Sequence, residues 1–389
     1  MNNKRIIVLW VGILLLLAGI VYIAFRVMRA ENLADSVGNS SGGLRPVNEV
    51  EEDLTEELFA MDTVMDITLY RTEETDIPLR ELFTKMRDRI YQMQQEFSVT
   101  DENSEISQLN RASGTGVWTT VSDDMWELVK QAADISQATK FDRLNDTTMD
   151  SVADFGEGSG SSTPRYAFDP TLYPIVKLWG FTTDEFRVPT EDEIQAELKK
   201  VSIENIETDA TENKQDVRLL NHAEMDLGAC VKGFLSDKLC EMMREHHVNG
   251  ILSLGGNVQT VGTKPDGSAF VVGITDPADG SSLYTAIENG DEAVITSGNY
   301  QRYFEQDGTR YHHIMDSRTG APADSGLASV TVIGESGLCC DAYATAFFVM
   351  GEELAKEYLN KYLPEYKVIL IREDGTAWLS EGITEIGKN

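Results

Sequence analysis

The chain has 389 residues, which is enough for one large domain or two ordinary ones. Its content of 41% hydrophobic and 8% aromatic residues supports a packed core and excludes a disordered chain. A net charge of −32 argues against a nucleic-acid-binding protein, because it offers no basic surface to neutralise phosphates. The same charge argues against broad adhesion to anionic lipid.

The first thirty residues predict a membrane anchor. Lys4 and Arg5 precede an uncharged apolar run at 6–25, and a helix of that length spans roughly 30 Å, the thickness of a bilayer core. Arg26 and Arg29 follow where a cleaved signal peptide would have small residues, which favours an uncleaved signal anchor. We expect residues 1–30 to lie in the cell membrane and the acidic remainder to lie outside the cytoplasm.

The composition after the anchor predicts a tether and then one folded domain. Gly and Ser at 39–43 and an acid-rich stretch at 49–57 indicate a flexible acidic linker over 31–57. We expect the folded domain to cover 58–389, with a long Gly- and Ser-rich surface loop at 145–164.

Helices and strands alternate along the domain without a strict strand-helix-strand period. Hydrophobic spacing predicts a strand at 64–70 and an amphipathic helix at 79–97. Ser122 is typical of a helix N-cap, and Thr190 with Glu193 forms a capping box. Further helices are expected at 233–244 and 341–362. Strands are expected at 250–254 and 270–274, on either side of a Gly-Gly-Asn turn at 255–257, and at 329–333. The mixture favours an α+β fold.

The cysteines support no metal-binding or redox motif. Cys230, Cys240, Cys339 and Cys340 include no Cys-x-x-Cys pair. In an exported chain Cys230 could form a disulfide with one of the adjacent pair. The alternative, which we favour, is that the thiols are free and buried.

Common hydrolase and kinase signatures are absent from the sequence. The five His residues show no zinc-protease spacing, and neither a Gly-x-Ser-x-Gly elbow nor a phosphate-binding P-loop is present. What remains are three groups of polar residues embedded in apolar sequence.

The first group combines an acid and a base around small residues. Asp226 is followed by small residues and then by Lys232 at a predicted helix start. A lysine beside the free N–H groups of a helix N-terminus forms an anion site. The plainer interpretation is a helix N-cap with a solvated lysine.

The second group lies on one helix face. Asp341 and Thr345 are four residues apart, so their oxygens share a face in an apolar setting, where they suit a hard cation such as Mg²⁺. Alternatively, Asp341 caps its own helix and Thr345 bonds to the backbone.

The third group is a polar loop, with Ser-Gly-Asn-Tyr at 297–300 and two His residues, His312 and His313, before Asp316. It could hold a nucleotide or position a nucleophile. Ordinary turn chemistry with surface His residues is the alternative.

A set of segments then points to one family. In chain order they are Met-Asp-Thr at 61–63, Ser-Glu-Ile-Ser at 104–107, Leu-Asn at 109–110, Phe-Asp-Pro-Thr at 168–171, Leu-Trp-Gly-Phe at 178–181, Asp-Leu-Gly at 226–228, Lys-Gly at 232–233, Leu-Gly-Gly-Asn at 254–257, His-Ile at 313–314, Arg-Thr-Gly at 318–320 and Asp-Ala-Tyr-Ala-Thr-Ala at 341–346. Over about residues 58–385 the chain resembles the ApbE-type FAD:protein FMN transferases. The resemblance implies a single α+β flavin-transferase domain of T-fold-like mixed sheets with packed helices.

The resemblance also implies the roles of individual residues. Asp341 and Thr345 would bind Mg²⁺ together with the main-chain oxygen of Ala229. His313 would handle the proton, with Asp341 as the second candidate catalytic residue. Residues implied to contact FAD are Met61, Thr100, Ala167, Phe168, Asp169, Asp226, Lys232, His313 and Ile314. Thr100 stands where several members have a stacking tyrosine, and Tyr166 or Phe97 would be the substitute.

The implied reaction is metal-assisted phosphoryl transfer. A Thr or Ser hydroxyl of an acceptor protein attacks the FMN-side phosphorus of FAD, and AMP leaves. The implied acceptors are flavoprotein subunits of membrane electron-transfer complexes. Water as acceptor would make the chain an FAD pyrophosphatase, and a non-catalytic extracytoplasmic flavin-binding protein is the third possibility.

Overall fold

The computed structural model describes residues 52–141, 164–183, 185–211 and 214–386. The predicted anchor at 1–30, residues 31–51 of the predicted linker and residues 145–163 of the predicted surface loop lie outside these ranges. Within the described ranges, no helix has both the length and the apolar character needed to span a bilayer. The first strand begins at Asp53, before residue 58, where we expected folded sequence to begin.

The described helices and strands alternate irregularly along the chain. The helices are α1 (Leu79–Phe97), α2 (Glu105–Ala112), α3 (Asp123–Ala138), α4 (Tyr173–Leu178), α5 (Glu191–Leu198), α6 (Val231–Glu245), α7 (Gly337–Met350) and α8 (Glu352–Tyr362). The strands are β1 (Asp53–Ala60), β2 (Thr63–Arg71), β3 (Thr119–Thr120), β4 (Ile206–Thr211), β5 (Lys214–Leu219), β6 (Val248–Leu254), β7 (Asn257–Val261), β8 (Phe270–Thr275), β9 (Leu283–Asn289), β10 (Ala293–Gly298), β11 (Tyr303–Gln306), β12 (Thr309–His312), β13 (Met315–Asp316), β14 (Ala321–Pro322), β15 (Leu327–Gly334), β16 (Lys367–Arg372), β17 (Ala377–Leu379) and β18 (Glu385–Ile386).

One antiparallel sheet organises the described domain. Within the described residues it has eight strands in the order β1-β2-β6-β7-β10-β15-β16-β17. Side chains alternate between its faces, so Ile295 and Val332 join the core formed with α1, α6 and α7. On the other face Val294 and Ile333 pack against the smaller sheet of β8, β9 and β18. The predicted α+β class is confirmed.

Helices α6 and α7 cross at two glycines. A Cβ on Gly233 would overlap the carbonyl oxygen of Gly337, so the two backbones are in direct contact. Each helix supplies a carboxylate to the N-terminus of the other. Asp237 of α6 accepts hydrogen bonds from the N–H groups of Gly337 (2.6 Å) and Leu338 (3.0 Å), and Asp341 of α7 accepts one from Gly233 N–H (2.9 Å). The crossing therefore satisfies backbone donors that two buried helix ends would leave unpaired.

The predicted helices agree with the structure except near the C-terminus, and α2 and α4 were not predicted. The helix at 79–97 and the capping box of Thr190 and Glu193 are confirmed. The single helix predicted at 341–362 is wrong, because Gly351 has a φ of +77° and separates α7 from α8. The alternative that Asp341 caps its own helix is also wrong, since Ser336 is the N-cap of α7.

Two further expectations concern the Gly-Gly turn and the cysteines. The turn at 255–257 joins β6 to β7, a strand that sequence reasoning missed, and the predicted strand at 270–274 is the separate β8. All four thiols are free: Cys230, Cys240 and Cys340 are buried and Cys339 is half-buried. The favoured interpretation of free thiols is confirmed.

A methyl group at the helix crossing should destabilise the protein. We expect Gly233→Ala to lower the free energy of unfolding by about 1–3 kcal/mol, because the added Cβ forces α6 away from α7. Urea unfolding followed by circular dichroism measures this change. Gly290→Ala is the control, since no atom lies within 4 Å of its added Cβ, and its effect should stay within about 0.5 kcal/mol. Equal effects in the two variants would contradict the packing argument.

Candidate active site

Asp226 is held in place through its backbone from two sides. The Asn110 side chain accepts a hydrogen bond from Met225 N–H (2.8 Å) and donates one to the Met225 carbonyl (2.9 Å). Asp226 N–H donates to the Pro170 carbonyl at 2.9 Å. Its carboxylate accepts from Gly228 N–H at 2.8 Å. Burial raises the pKa of Asp226, and the charges of Arg302 and Lys232 oppose that rise.

Lys232 lies in the first turn of α6. It is half-buried, and in the part of the chain that the structure describes no carboxylate forms an ion pair with its ammonium group. Burial raises the pKa of Asp226 and Asp341, and the charge of Lys232 opposes that rise. Burial lowers the pKa of His313, and the charge of Lys232 acts in the same direction. Together these residues form what we term the acid–base cluster: Asp226, Lys232, His313 and Asp341. An ammonium group at the N-terminus of a fifteen-residue helix favours an anion.

Asp341 and Thr345 lie one turn apart on α7. Asp341 is buried, and burial raises its pKa to about 6 despite the charge of Lys232 and the hydrogen bond from Gly233 N–H. Thr345 Oγ1 lies 3.2 Å from Ser297 Oγ, so its hydrogen-bond partner is a side chain. The alternative that Thr345 bonds to the backbone is therefore wrong. Ala229 directly precedes Cys230, the N-cap of α6.

The predicted metal ligands fit a hard cation by their chemistry. A carboxylate, a hydroxyl and a main-chain carbonyl are all oxygen donors, which Mg²⁺ prefers. The buried carboxylate of Asp341 also gains from a nearby positive charge. Among the described residues, no group of three or more His, Cys, Asp or Glu side chains is placed to hold a metal. The predicted set includes only one such side chain, Asp341.

His313 is neutral near pH 7 and has a defined tautomer. Its backbone N–H and its Nδ1 both lie within hydrogen-bonding distance of the Arg302 carbonyl, at 3.1 and 3.0 Å. Because a carbonyl only accepts, Nδ1 carries the proton and Nε2 keeps its lone pair. Burial lowers the pKa of His313 to about 4. The side chain is therefore able to accept a proton at Nε2.

The adjacent His312 has the opposite tautomer. Its Nε2 donates to the Ala323 carbonyl at 3.1 Å, and its Nδ1 accepts from Ile314 N–H at 3.3 Å. Both ring nitrogens are thus used within the fold. His312 is a structural residue, and it fixes the backbone of the buried Ile314.

The segment with Ala167, Phe168 and Asp169 is buried next to Asp226. Asp169 Oδ1 accepts hydrogen bonds from Thr171 N–H (2.8 Å) and Thr171 Oγ1 (2.6 Å). Its Oδ2 is buried without a hydrogen-bond partner among the described residues. Burial raises the pKa of Asp169 to about 6.

The structure does not join Met61 and Thr100 to the acid–base cluster by hydrogen bonds. Met61 lies in the two-residue turn between β1 and β2, and its N–H donates to Gln94 of α1 at 2.6 Å. Thr100 is exposed after the same helix, and its hydroxyl lies 3.1 Å from Ser98 Oγ. The proposed aromatic substitutes are wrong, because Tyr166 and Phe97 are 0% and 5% exposed and offer no ring face to a ligand.

Sequence reasoning missed residues that hold others in place. Asn110 lies within a matched segment, but its partner is the backbone of Met225, 115 residues away. Arg302 donates to the carbonyl of Phe181. No pattern in the sequence around either residue predicts this contact. Ser297 lies in the polar loop we singled out, without a role having been assigned to it.

Comparisons with known proteins point to one family. The model of the ApbE family matches residues 61–165 and 159–370. The FAD:protein FMN transferase of Klebsiella pneumoniae is 36% identical over 189 residues, which cover 48% of this chain and 58% of that protein. That of Treponema pallidum is 34% identical over 245 residues, which cover 59% of this chain and 66% of that protein. The alignments span less than two thirds of these relatives.

Solved structures match over more of their length. The ApbE protein of Thermotoga maritima superposes with a TM-score of 0.72 at 30% identity, over 85% of this chain and 97% of that one. The flavin transferase ApbE of Vibrio cholerae superposes with a TM-score of 0.69 at 26% identity, over the same two shares. Because the family model covers well over half of the sequence, this chain belongs to the ApbE family.

Proposed function

We propose that this chain transfers FMN from FAD to a Thr or Ser hydroxyl of an acceptor flavoprotein and releases AMP. The observation that carries the proposal is the acid–base cluster, in which one lysine acts electrostatically on two carboxylates and a neutral histidine. The names of the relatives, FAD:protein FMN transferase, support it. The residues come from separate elements: Lys232 and Asp341 from the two crossing helices, His313 from the end of the β11–β12 hairpin, and Asp226 from the segment before α6.

The cluster provides the parts that phosphoryl transfer needs. Lys232 and the positive N-terminal end of the α6 dipole bind the pyrophosphate of FAD. Nε2 of His313 takes the proton of the acceptor hydroxyl, and the oxygen forms a bond to the FMN-side phosphorus. The bond between that phosphorus and the bridging oxygen breaks, and AMP leaves with the electron pair. Asp169, Ala167 and Phe168 border the site beside Asp226.

We further propose that Ala229 O, Asp341 and Thr345 hold Mg²⁺. When bound, the ion neutralises the charge that develops on the pyrophosphate oxygens. Asp341 is fixed by Gly233 N–H, so its carboxylate does not need to reorganise. Met61, Thr100 and Ile314 are proposed to contact the rest of FAD.

The location of the reaction is also a proposal. The apolar run at 6–25 supports a membrane anchor, which would hold the domain outside the cytoplasm. We propose flavoprotein subunits of membrane electron-transfer complexes as the acceptors. Fractionation of cells expressing the full chain, followed by protease treatment of intact cells, tests both the anchor and the side of the membrane.

The transfer reaction is tested by intact mass spectrometry of an acceptor domain that carries a threonine. With FAD, Mg²⁺ and the full chain, we expect its mass to rise by that of FMN less one water, and one AMP to appear per modified acceptor. Asp341→Asn should lower the rate by about a hundredfold or more, because it removes the charged metal ligand. The control Asp307→Asn, at an exposed hairpin tip, should keep full activity.

Other outcomes of this experiment contradict the proposal. AMP without a gain in acceptor mass would identify an FAD pyrophosphatase. FAD binding without AMP in any condition would identify a flavin-binding protein. Full activity of Asp341→Asn would refute the metal assignment.

The raised pKa of Asp169 predicts how the stability of the metal-free protein changes with pH. Its pKa is about 6 in the folded chain and 3.8 as the ordinary value, so the folded state binds the proton more tightly. Its contribution to stability is complete below pH 4 and is lost as pH rises through 6, a change of about 2–3 kcal/mol. Urea unfolding at pH 5 and pH 7.5 should therefore show Asp169→Asn gaining stability relative to wild type at the higher pH. Parallel pH curves for the two proteins would contradict this account.

A further inference from the structure

The Leu-Trp-Gly-Phe segment at 178–181 has no part in the chemistry described above, yet it contacts both ends of the segment that carries His313. The guanidinium of Arg302 donates to the carbonyl of Phe181. The indole Nε1 of Trp179 donates to the carbonyl of Gly320 at 2.8 Å. Residues 302 and 320 bracket His313, so this one short segment bonds to the side chain of Arg302 before it and to the backbone of Gly320 after it.

Aromatic packing makes this support stiff. Trp179 and Phe181 are 2% and 1% exposed. The rings of Trp179 and Tyr311 have centroids 5.3 Å apart, and those of Phe181 and Phe304 are 5.8 Å apart. Phe304 and Tyr311 face each other across β11 and β12, the two strands that join Arg302 to His313. Because these rings pack against one face of the β11–β12 hairpin, Arg302 and His313 at the base of the hairpin have little freedom to move.

The base of the hairpin determines the state of His313. Arg302 offers its carbonyl oxygen to both the N–H and the Nδ1–H of His313. That oxygen stays in position only while the Arg302 backbone does, and the side chain of Arg302 ties the backbone to Phe181. A continuous set of hydrogen bonds therefore runs from Phe181 through Arg302 to the histidine ring.

We propose that Arg302, anchored on the carbonyl of Phe181, is a positioning residue that keeps His313 in the Nδ1–H tautomer with Nε2 as the proton acceptor. Trp179 supports the same segment from its other end. The role of that tautomer in catalysis rests on the proposed transfer of FMN. The tautomer itself does not.

Two kinds of role for Arg302 give different kinetics. A positioning residue affects the proton transfer, so its loss lowers kcat and leaves the KM for FAD nearly unchanged. A residue that binds the pyrophosphate directly would raise KM instead. Burial raises the pKa of Asp226 and lowers that of His313, and the charge of Arg302 favours a lower pKa in both. Direct binding of the pyrophosphate by Arg302 is therefore tested separately, through the KM for FAD.

The first measurement is the histidine tautomer by ¹⁵N NMR at pH 7.5, with the full chain labelled only at its histidine side chains. We expect the Nδ1–H form for His313 and the Nε2–H form for His312 in the same spectrum, with the His313 signal assigned by its absence in His313→Gln. Arg302→Gln should convert His313 to a mixture of the two tautomers and leave His312 unchanged. Arg310→Gln is the matched control on the same hairpin, because Arg310 stacks on Tyr303 and does not bond to His313.

The second measurement is AMP release. Arg302→Gln and Trp179→Phe should each lower kcat about tenfold to a hundredfold, and Arg302→Lys should recover part of the loss. Trp179→Phe keeps an aromatic ring and removes the N–H donor together with part of the buried ring volume, so urea unfolding of this variant is measured beside its activity to separate positioning from folding. An unchanged His313 tautomer in Arg302→Gln would overturn the proposal, and so would a higher KM with unchanged kcat. If the wild-type chain releases no AMP, the proposed function fails, but the tautomer measurement still decides the role of Arg302.

Discussion

The crossing of α6 and α7 is the contact on which the candidate site depends. Two glycines bring the helix backbones together, and each helix N-terminus receives a carboxylate from the other helix. The same hydrogen bond that satisfies Gly233 N–H fixes Asp341 next to Lys232. The fold thereby places a carboxylate in a buried position, where burial raises its pKa to about 6 despite the charge of Lys232. Such a carboxylate costs stability unless a cation or a proton joins it.

The remaining parts of the site are held by side chains that bond to the backbone of distant residues. Asn110 holds Met225 beside Asp226, and Arg302 ties His313 to Phe181. Each of these contacts joins segments that are more than a hundred residues apart in the sequence. Under the proposed function, the matched segments thus fall into two kinds, those assigned to the chemistry and those that orient them.

Local patterns in the sequence predicted the helices and strands with strong periodicity or clear caps. The helix at 79–97 and the Thr190 capping box needed only spacing and cap chemistry. The break at Gly351 was missed because apolar spacing continues across it, and only its positive φ separates α7 from α8. The spacing of Asp341 and Thr345 correctly predicted that they lie one helical turn apart. It did not predict that Asp341 caps α6, because that hydrogen bond forms only where the two helices cross. Arg302 was missed for the same reason.

We propose that the helix crossing assembles one metal and pyrophosphate site from Ala229, Lys232, Asp341 and Thr345. The most direct measurement is an anomalous difference map from crystals of the chain grown with Mn²⁺ and FAD. The account predicts a metal peak within coordination distance of Asp341, Thr345 Oγ1 and Ala229 O, with the FAD pyrophosphate between that peak and Lys232. A metal bound elsewhere, or a pyrophosphate remote from the N-terminus of α6, would contradict it.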